Sequence, residues 1–401
     1  MPAVSVSSVP APGSHAPGST ASLRAANQRR VIAALQTAGS RLPVTQADIA
    51  RTTRLAPATV SNIVRELAGA GLVETTGGSG RRGTEVRISR RAGLVAAVDF
   101  GHRHLRVAVG DLAGSMLLEQ RLPLDHDHDH TVGLGLAAGT LDHLLETLGA
   151  ARGDVLGVGL GLPAPVGQDG VVIGSSILPG WIGVHASAVA RERLDRPVFV
   201  DNDANLCALA EHRLGAGVGH SCMAYIKASS GVGAGLVIDG RLFHGGAGTA
   251  GEIGHLTFDE TGPICRCGSR GCLEAYTSVG MLQDMLRSQH PDATIGELVD
   301  AARAGDLSVR RAFDDVGSRL GWGAAILANL INPSCLVIGG DMAQAGDLLL
   351  DAVRDGVRRH ALSPVSAAMT VAVSALGERS AIHGALLLAL DRTDLALPAA
   401  S

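Results

Sequence analysis

The body of the chain, from Leu94 onward, alternates short apolar runs with segments of helical periodicity. Runs such as LVAAVDF, VLGVGLGL and CLVIGGD are bounded by glycine and aspartate, as buried strands usually are. The stretches TVGLGLAAGTLDHLLETLG and RAFDDVGSRLGWGAAILANLI lie between such runs and have helical spacing. Strands that alternate with helices predict an α/β fold, in which helices cover the faces of a sheet.

The body also contains one pattern twice. AAVDFGHRHLRVAVGDLAG and AYIKASSGVGAGLVIDGRL each give a strand, a tight polar or glycine loop, a second strand and a turn that contains glycine. We therefore predict two lobes of related architecture that face each other across a cleft, where ligands usually bind.

The first 90 residues have a different charge from the rest. They hold eleven arginines and four acidic residues, a balance of +7, and the formal charge of the whole chain is −4, so the remainder carries −11. A basic front on an acidic body is typical of a nucleic-acid reader attached to another domain. A merely solvated helical face explains the charge equally well, so the helix pattern has to decide.

Three helices are predicted in this front segment. The second, in VTQADIARTTRL, has Thr45 as its N-cap, and the third has Pro57 in its first turn. The third helix has its apolar residues at i, i+3, i+4 and i+7, namely Val60, Ile63, Val64 and Leu67. The short turn between the two helices is that of a helix-turn-helix, with Arg54 where glycine is common.

The opposite face of the third helix carries short donors and one long cation that suit the major groove of DNA. LVETTGGSGRRGTEVRIS follows and predicts two strands with a glycine-rich tip, the outline of a wing. The predicted DNA-contacting residues are Thr59, Ser61, Asn62, Arg65, Arg81 and Arg82. A three-helix protein-interaction module is the alternative, and the wing favours DNA.

Length and composition limit the remaining possibilities. At 401 residues the chain has room for two or three domains. No run of about 18 apolar residues exists, and the Pro/Ser/Ala-rich start lacks the pattern of a secretory signal. We therefore expect a cytoplasmic protein with no membrane partner, in which cysteines are reduced.

Three of the six cysteines fall within eight residues, in the stretch CRCGSRGC, and a histidine precedes the first of them by ten positions. In a reducing compartment such a cluster indicates a metal site and not disulfides. Three free buried thiols are the alternative interpretation.

The body resembles the ROK family (repressors, open reading frames, kinases). The resemblance rests on VDFG, GLPAPV, LPGW, DNDANLCALAE, SSGVGAG, GEIGH, CRCGSRGCLEAY and LVIGGD, which occur in this order between residue 94 and about 390. It implies a two-lobed actin-like (RNase H-like) sugar-kinase fold, and a winged helix in front is typical of the family's regulators. The expected domains are a tail over 1–20, a winged helix-turn-helix over 21–90, lobes over 93–203 and 204–391, and a tail over 392–401. The last helix can pack back on the first lobe.

The resemblance also implies a bound metal and a sugar site. His255, Cys265, Cys267 and Cys272 match the zinc ligands of the family, and three thiolates with one imidazole suit a closed, structural Zn²⁺ site. Residues that match those binding sugar hydroxyls in the family are Asn202, Asp203, Glu252, His255 and Glu274. The zinc would brace the loop that presents Glu252 and Glu274.

Family kinases use an aspartate that matches Asp203 as general base and bind ATP with Mg²⁺ on two loops and an adenosine patch. The residues at these positions are Asp99 and Gly101 in the first loop, Ser230, Gly231 and Gly233 in the second, and Gly339 and Gly340 in the patch. His102 and Arg103 replace a glycine and a threonine of the first loop, and the second loop lacks one glycine. Phosphoryl transfer depends on positioning, so these changes argue against a kinase.

We therefore expect a sugar-responsive DNA-binding regulator, a repressor that responds to a sugar or sugar phosphate and acts on operator DNA as a homodimer or higher homo-oligomer. An ATP-dependent hexose kinase that carries a DNA-binding domain is the rival. A regulator with no small-molecule input is a third possibility, because Ser175, Ser176 and Ile177 stand before LPGW where sugar-binding members often have asparagine.

Overall fold

The computed structural model describes residues 20–38, 44–77, 83–89, 91–124, 128–174 and 178–393. Two compact units divide the chain. The first comprises the chain up to Gly93 together with Asp111–Ser115 and the residues after Arg392, and the second comprises Leu94–Gly110 and Met116–Arg392. Each unit is described by itself below.

The first unit is a winged helix. Its helices are α1 (Thr20–Ala38), α2 (Gln46–Thr53) and α3 (Pro57–Gly69), and its strands are β1 (Val44–Thr45), β2 (Val73–Thr76) and β3 (Glu85–Ile88). The strands form an antiparallel sheet in the order β1-β3-β2, with β2 and β3 as the arms of the wing. The predicted helix-turn-helix and wing are both confirmed.

Local sequence determines where these helices begin and end. Thr45 caps α2, since its hydroxyl accepts from the backbone N–H of Asp48 while the Asp48 carboxylate accepts from the Thr45 N–H. Pro57 stands in the first turn of α3, and Arg54 takes a left-handed conformation with φ of 54° at the end of α2. The predicted cap, the position of Pro57 and the strained turn at Arg54 are therefore confirmed.

The second unit begins with a five-stranded sheet. Its strands are β4 (Leu94–Phe100), β5 (His104–Asp111), β6 (Met116–Pro123), β7 (Val155–Leu162) and β8 (Val198–Asn202), and helices α4 (His130–Thr147) and α5 (Ala186–Leu194) lie between them in sequence. The strand order is β6-β5-β4-β7-β8. The β5–β6 pair is antiparallel, and β4, β7 and β8 run parallel to one another.

A second sheet follows helix α6 (Asp203–Leu214). Its strands are β9 (Met223–Ala228), β10 (Val232–Ile238), β11 (Arg241–Leu242), β12 (Cys335–Gly339) and β13 (Thr370–Val373). The helices are α7 (Glu274–Thr277), α8 (Val279–Leu286), α9 (Ile295–Arg303), α10 (Leu307–Ile331), α11 (Asp347–His360), α12 (Ser363–Ala368) and α13 (Ser380–Arg392). The strand order β11-β10-β9-β12-β13 repeats that of the first sheet, which confirms the predicted pair of related lobes.

Two helices connect the sheets through close backbone contacts. Helix α13 packs against β4 and β7 of the first sheet and against α6, and α6 packs against β9 and β10 of the second. A Cβ atom on Gly384 of α13 would lie 2.0 Å from the carbonyl oxygen of Leu206 in α6, so only glycine permits this approach. The last helix therefore does lie on the first sheet.

Each lobe has its own apolar core. In the first, Phe100 and Trp181 are fully buried with their ring centroids 5.2 Å apart, and in the second Phe313 and Leu336 are fully buried. Sequence reasoning missed β6 and β13, because most of their residues are only half-buried and their pattern is weak. In the part of the chain that the structure describes, no helix is long and apolar enough to cross a membrane.

Candidate functional site

Four side chains that are good metal ligands converge in the second lobe. The ligand atoms of His255, Cys265, Cys267 and Cys272 all lie within 4.8 Å of one another. Cys267 Sγ is 3.7 Å from Cys272 Sγ, and His255 Nδ1 is 3.8 Å from Cys265 Sγ. Tetrahedral Zn²⁺ with Zn–S bonds of about 2.3 Å holds its sulfurs roughly 3.8 Å apart, so this set of ligand atoms fits the ion.

The chemistry of the thiols supports the same interpretation. Burial and the two neighbouring thiols raise the pKa of Cys272 to about 12. Without a cation the Cys272 thiol would therefore stay protonated, and a bound metal would hold it as a thiolate. The structure thus brings all four predicted ligands within 4.8 Å of one another.

The segment from His255 to Cys272, the metal loop, has a tightly folded backbone. Gly271 has φ of +65°, and a Cβ atom on it would lie 1.6 Å from the carbonyl oxygen of Asp259. Phe258, in the same loop, packs edge-on against Tyr276 and Trp322. Because Trp322 belongs to α10, the loop rests on the longest helix that the structure describes.

Two carboxylates flank this cluster, as the sequence predicts. Glu252 Oε2 is 3.8 Å from His255 Nε2, while the other ring nitrogen, Nδ1, is the one near Cys265 Sγ. Burial, together with the charges of Asp203 and Glu274, raises the pKa of Glu252 to about 7. Glu274 is buried, and its Oε2 accepts from the backbone N–H of Val232 at 2.9 Å.

Arg266 ties the metal loop to the cleft, and sequence reasoning did not identify it. It stands between two predicted ligands, Cys265 and Cys267. Its Nε lies 3.2 Å from Glu274 Oε1, and its Nη2 donates to the carbonyl oxygen of Ser230 at 2.7 Å. The Arg266 side chain thus joins the metal loop to Glu274, a predicted sugar-binding carboxylate, and to the second predicted nucleotide loop.

The end of β8 delivers two more predicted sugar-binding residues. Asn202 caps α6, with Oδ1 accepting from the N–H of Ala204 at 2.9 Å and Nδ2 donating to the carbonyl oxygen of Ala164 at 3.1 Å. One of its two amide N–H groups is therefore used, which leaves the other N–H and one lone pair of Oδ1 for a ligand. Asp203 is the first residue of α6 and is 5% exposed.

Lys227 of β9 forms an ion pair with Asp203. Burial raises the pKa of Asp203 and Asp99 adds to that effect, while Lys227 opposes it. Burial alone would lower the pKa of Lys227, but the carboxylate of Asp203 outweighs burial and raises it. Lys227 is therefore an ammonium group at neutral pH. Because Lys227 lies in an apolar strand pattern, the sequence analysis did not identify it as part of the site.

The first predicted nucleotide loop is filled by a side chain. The imidazole of His104 lies directly over Gly101, where a Cβ atom would be 2.1 Å from His104 Cε1. His104 Nε2 is also 3.8 Å from Asp99 Oδ2. Asp99 is 3% exposed, so both ends of this loop are covered by the protein itself.

The second predicted nucleotide loop lies beside the predicted adenosine patch. The hydroxyl of Ser229 accepts from the backbone N–H of Asp341, the residue after Gly339 and Gly340. Ser229 stands directly before Ser230, Gly231 and Gly233, the predicted residues of this loop. However, the Val232 N–H in the middle of the loop already donates to Glu274, and a phosphate could not use it.

In the winged helix, the two faces of α3 separate as predicted. Val60, Ile63, Val64 and Leu67 are buried. Asn62 and Arg65 are exposed and hydrogen-bonded to each other at 3.2 Å, and Thr59 and Ser61 are partly exposed beside them. Arg81 and Arg82 lie outside the described residues, and so do Ser175, Ser176 and Ile177.

Comparison with known proteins covers nearly the whole chain. Residues 95–392 match the model of the ROK family, and residues 24–82 match that of the MarR family. The xylose repressor of Bacillus subtilis (strain 168) is 25% identical over 353 residues, which are 87% of this chain and 91% of that protein. A glucokinase of Halalkalibacterium halodurans is 31% identical over 303 residues, 72% of this chain and 92% of the enzyme.

A solved structure extends the similarity to the winged helix. It is a ROK family transcriptional regulator described as a homolog of the Escherichia coli MLC protein, with a TM-score of 0.78 and 25% identity. The match covers 94% of this chain and 98% of the regulator.

Proposed function

The chain belongs to the ROK family, and from this premise we propose that it is a sugar-responsive transcriptional repressor. The observation that carries the proposal is the joining of two units in one chain. A MarR-type winged helix with exposed polar residues on α3 precedes a body that has the ROK fold and a full set of predicted sugar ligands. Neither unit alone would favour a repressor over an enzyme.

The winged helix is proposed to read operator DNA. Thr59, Ser61, Asn62 and Arg65 would face the major groove, because they occupy the side of α3 opposite its buried stripe. Arg81 and Arg82 at the tip of the wing would hold phosphate or the minor groove. We propose domain boundaries at 21–90 for this reader and at 93–203 and 204–391 for the two lobes, with tails outside them.

Zinc is the metal we propose for the four-residue cluster. Three thiolates and an imidazole are the ligands it prefers, and a closed set of four protein ligands is typical of a structural ion. The metal would fix the loop that holds Glu252 before His255 and Glu274 after Cys272. We expect it to stabilise the fold of this loop and not to take part in a reaction.

Sugar hydroxyls are proposed to bind Asn202, Asp203, Glu252, His255 and Glu274. The support is that these residues come from three separate segments, and that Asp203 and Glu274 lie near enough to Glu252 for their charges to raise its pKa. Carboxylates accept strong hydrogen bonds from hydroxyl groups because they are charged. A bound sugar would have to prefer one state of lobe closure in order to alter DNA binding.

We also propose a homodimer or higher homo-oligomer, because two winged helices bind two half-sites with fixed spacing. The site of action would be the cytoplasm, where operator DNA is found. A gel-shift titration tests the function directly: purified protein should bind an operator near its own gene, and a sugar should change the midpoint. If no sugar or sugar phosphate alters operator affinity, the chain would be a regulator without this input.

An ATP-dependent hexose kinase is the second candidate, because Asp203 is present and a glucokinase is a 31% identical relative. Three contacts argue against it. His104 covers Gly101, the Val232 N–H is taken by Glu274, and Lys227 neutralises the carboxylate that would act as base. An ADP-release assay over a hexose panel with Mg²⁺ and ATP decides the question, and turnover with any hexose would support the kinase.

A further inference from the structure

The pair of Lys227 and Asp203 lies in the proposed sugar cleft and has a chemistry of its own. Asp203 is 5% exposed and offers only acceptors, while the Lys227 ammonium offers only donors. The side chain of Lys227 is 24% exposed, so a small ligand can reach the pair from solvent. A ligand group that contacts both residues must therefore donate one hydrogen bond and accept another.

A hydroxyl group meets this requirement, and a phosphate ester does not. The hydroxyl can donate to Asp203 and accept from Lys227 at the same time. A phosphate dianion can only accept, so it would satisfy Lys227 and leave a buried carboxylate facing a second anion. A deoxygenated carbon would satisfy neither residue, and the ion pair would lose water without gaining a hydrogen bond in return.

The surrounding charges add to this selection. Asp99 lies near enough to raise the pKa of Asp203, and Glu274 is buried close by. Arg266, the cation that approaches this region from the metal loop, is already paired with Glu274 and bonded to Ser230. The His104 imidazole faces Asp99. The cleft thus presents more carboxylates than free cations, which disfavours an anionic ligand.

We propose that Lys227 makes this cleft select an unphosphorylated sugar, one hydroxyl of which bridges Asp203 and Lys227. The inference rests on the proposed sugar-responsive function and narrows it, since it rejects sugar phosphates as effectors. It also assigns Lys227 as the specificity-determining residue, because its ammonium is paired with Asp203, the carboxylate that a kinase would use as general base.

Matched pairs of neutral and phosphorylated sugars test the inference on the full-length protein. The probes are D-xylose and D-xylose 5-phosphate, D-glucose and D-glucose 6-phosphate, and N-acetyl-D-glucosamine and its 6-phosphate. Calorimetric titration should find a neutral sugar that binds, with its phosphate ester weaker by about tenfold or more. A phosphate ester that binds more tightly than its parent overturns the inference but leaves the sugar-responsive function intact. No binding by any probe would contradict both.

Variants at Lys227 separate recognition from a merely structural role. With the neutral sugar that binds most tightly, Lys227→Met should weaken affinity by about tenfold, whereas the deoxy analogue lacking the bridging hydroxyl should bind wild type and variant alike. Lys227→Arg should restore part of the difference. If every deoxy analogue loses as much affinity as the parent sugar, Lys227 acts only through the fold and the inference fails.

Folding of the variants is checked by their melting temperatures and bound metal. If Lys227→Met leaves Asp203 uncompensated and does not fold, the double variant D203N/K227M replaces it, because it removes both charges together. The double variant should bind the parent sugar and its phosphate ester with nearly equal affinity. Retention of a tenfold or larger preference for the neutral sugar in that variant would overturn the role of the pair.

Discussion

Phe258 stands edge-on to Trp322, with ring centroids 5.2 Å apart and the ring planes at 84°. Phe258 belongs to the segment that joins His255 to the three cysteines, and Trp322 lies on α10. The metal loop is therefore in contact with one of only two tryptophans in the chain. The other, Trp181, is fully buried in the first lobe against Phe100.

This contact makes metal removal observable. Treatment with a strong chelator should loosen the loop, expose Trp322 and shift its fluorescence to longer wavelength. Trp181→Phe leaves Trp322 as the single reporter, and that variant should show the full change. Trp322→Phe is the matched control and should show almost none. An unchanged spectrum in a protein shown to have lost its metal would mean that the ion does not hold this loop.

Substitution of a ligand should act in the same direction. Cys272→Ser removes a fully buried donor, so zinc content should fall from about one per chain and stability should drop by on the order of several kcal/mol. Cys335→Ser is the control, because Cys335 is equally buried but lies on β12 outside the cluster. Metal analysis and thermal melting measure both. Equal zinc content in the two variants would contradict the proposal that these four residues bind zinc.

The bond between His244 and Asp201 predicts a pH dependence of stability. His244 Nε2 donates to Asp201 Oδ2 at 2.8 Å, and this bond raises the pKa of His244 against the effects of burial and Arg392. Because the folded-state pKa is raised, the stabilisation is fully present below the unfolded value of about 6.5 and is lost as pH rises through the folded value.

Melting temperatures of wild type and His244→Asn, compared from about pH 5.5 to about pH 8.5, measure this effect. The difference between them should be largest at the acidic end and should shrink as pH rises. His185→Asn is a control, since His185 hydrogen-bonds Ser187 and no carboxylate. A difference in melting temperature that stays constant across this pH range would show that protonation of His244 does not contribute to stability.

On α3, Arg65→Ala should weaken operator binding by about 1–3 kcal/mol if Arg65 contacts a base edge. If Arg65 contacts a phosphate, the substitution should also make operator affinity less dependent on salt concentration. Its side chain is exposed and bonded only to Asn62 within the described residues, so its loss should not unfold the domain. Arg358→Ala on α11 is a control of equal charge. If the two variants have the same gel-shift midpoint, Arg65 does not contact the operator.

Two helix glycines should respond to alanine in opposite ways. Gly384→Ala forces a methyl group against the Leu206 carbonyl oxygen and should cost about 1–3 kcal/mol or more. Gly139→Ala, on the exposed side of α4 with no atom within 4 Å of its Cβ position, should stabilise the protein by about 0.5–1 kcal/mol. Chemical denaturation measures both. Equal stability of the two variants would contradict the close contact between α13 and α6.

Sequence alone determined what depends on spacing along the chain. The capping box at Thr45, the start of α3 at Pro57 and its buried stripe are local, because helix ends and helix faces are set by neighbours within four residues. The candidate metal cluster was also recognisable, since three of its cysteines lie within eight residues, and the resemblance to the ROK family added His255 to them. The alternation of strands and helices, and its repetition, gave the class of fold for the same reason.

Only the tertiary structure decided which polar residues neutralise one another. Lys227 lies in an apolar strand pattern, and its pairing with Asp203 depends on how β9 meets the start of α6, 24 residues away in sequence. Arg266 and His104 likewise meet their partners through packing that no periodicity encodes. A strand pattern specifies which face is buried. Electrostatic partners from segments far apart in sequence depend on how those segments pack, and that packing follows from contacts between distant backbones such as Gly384 and Leu206.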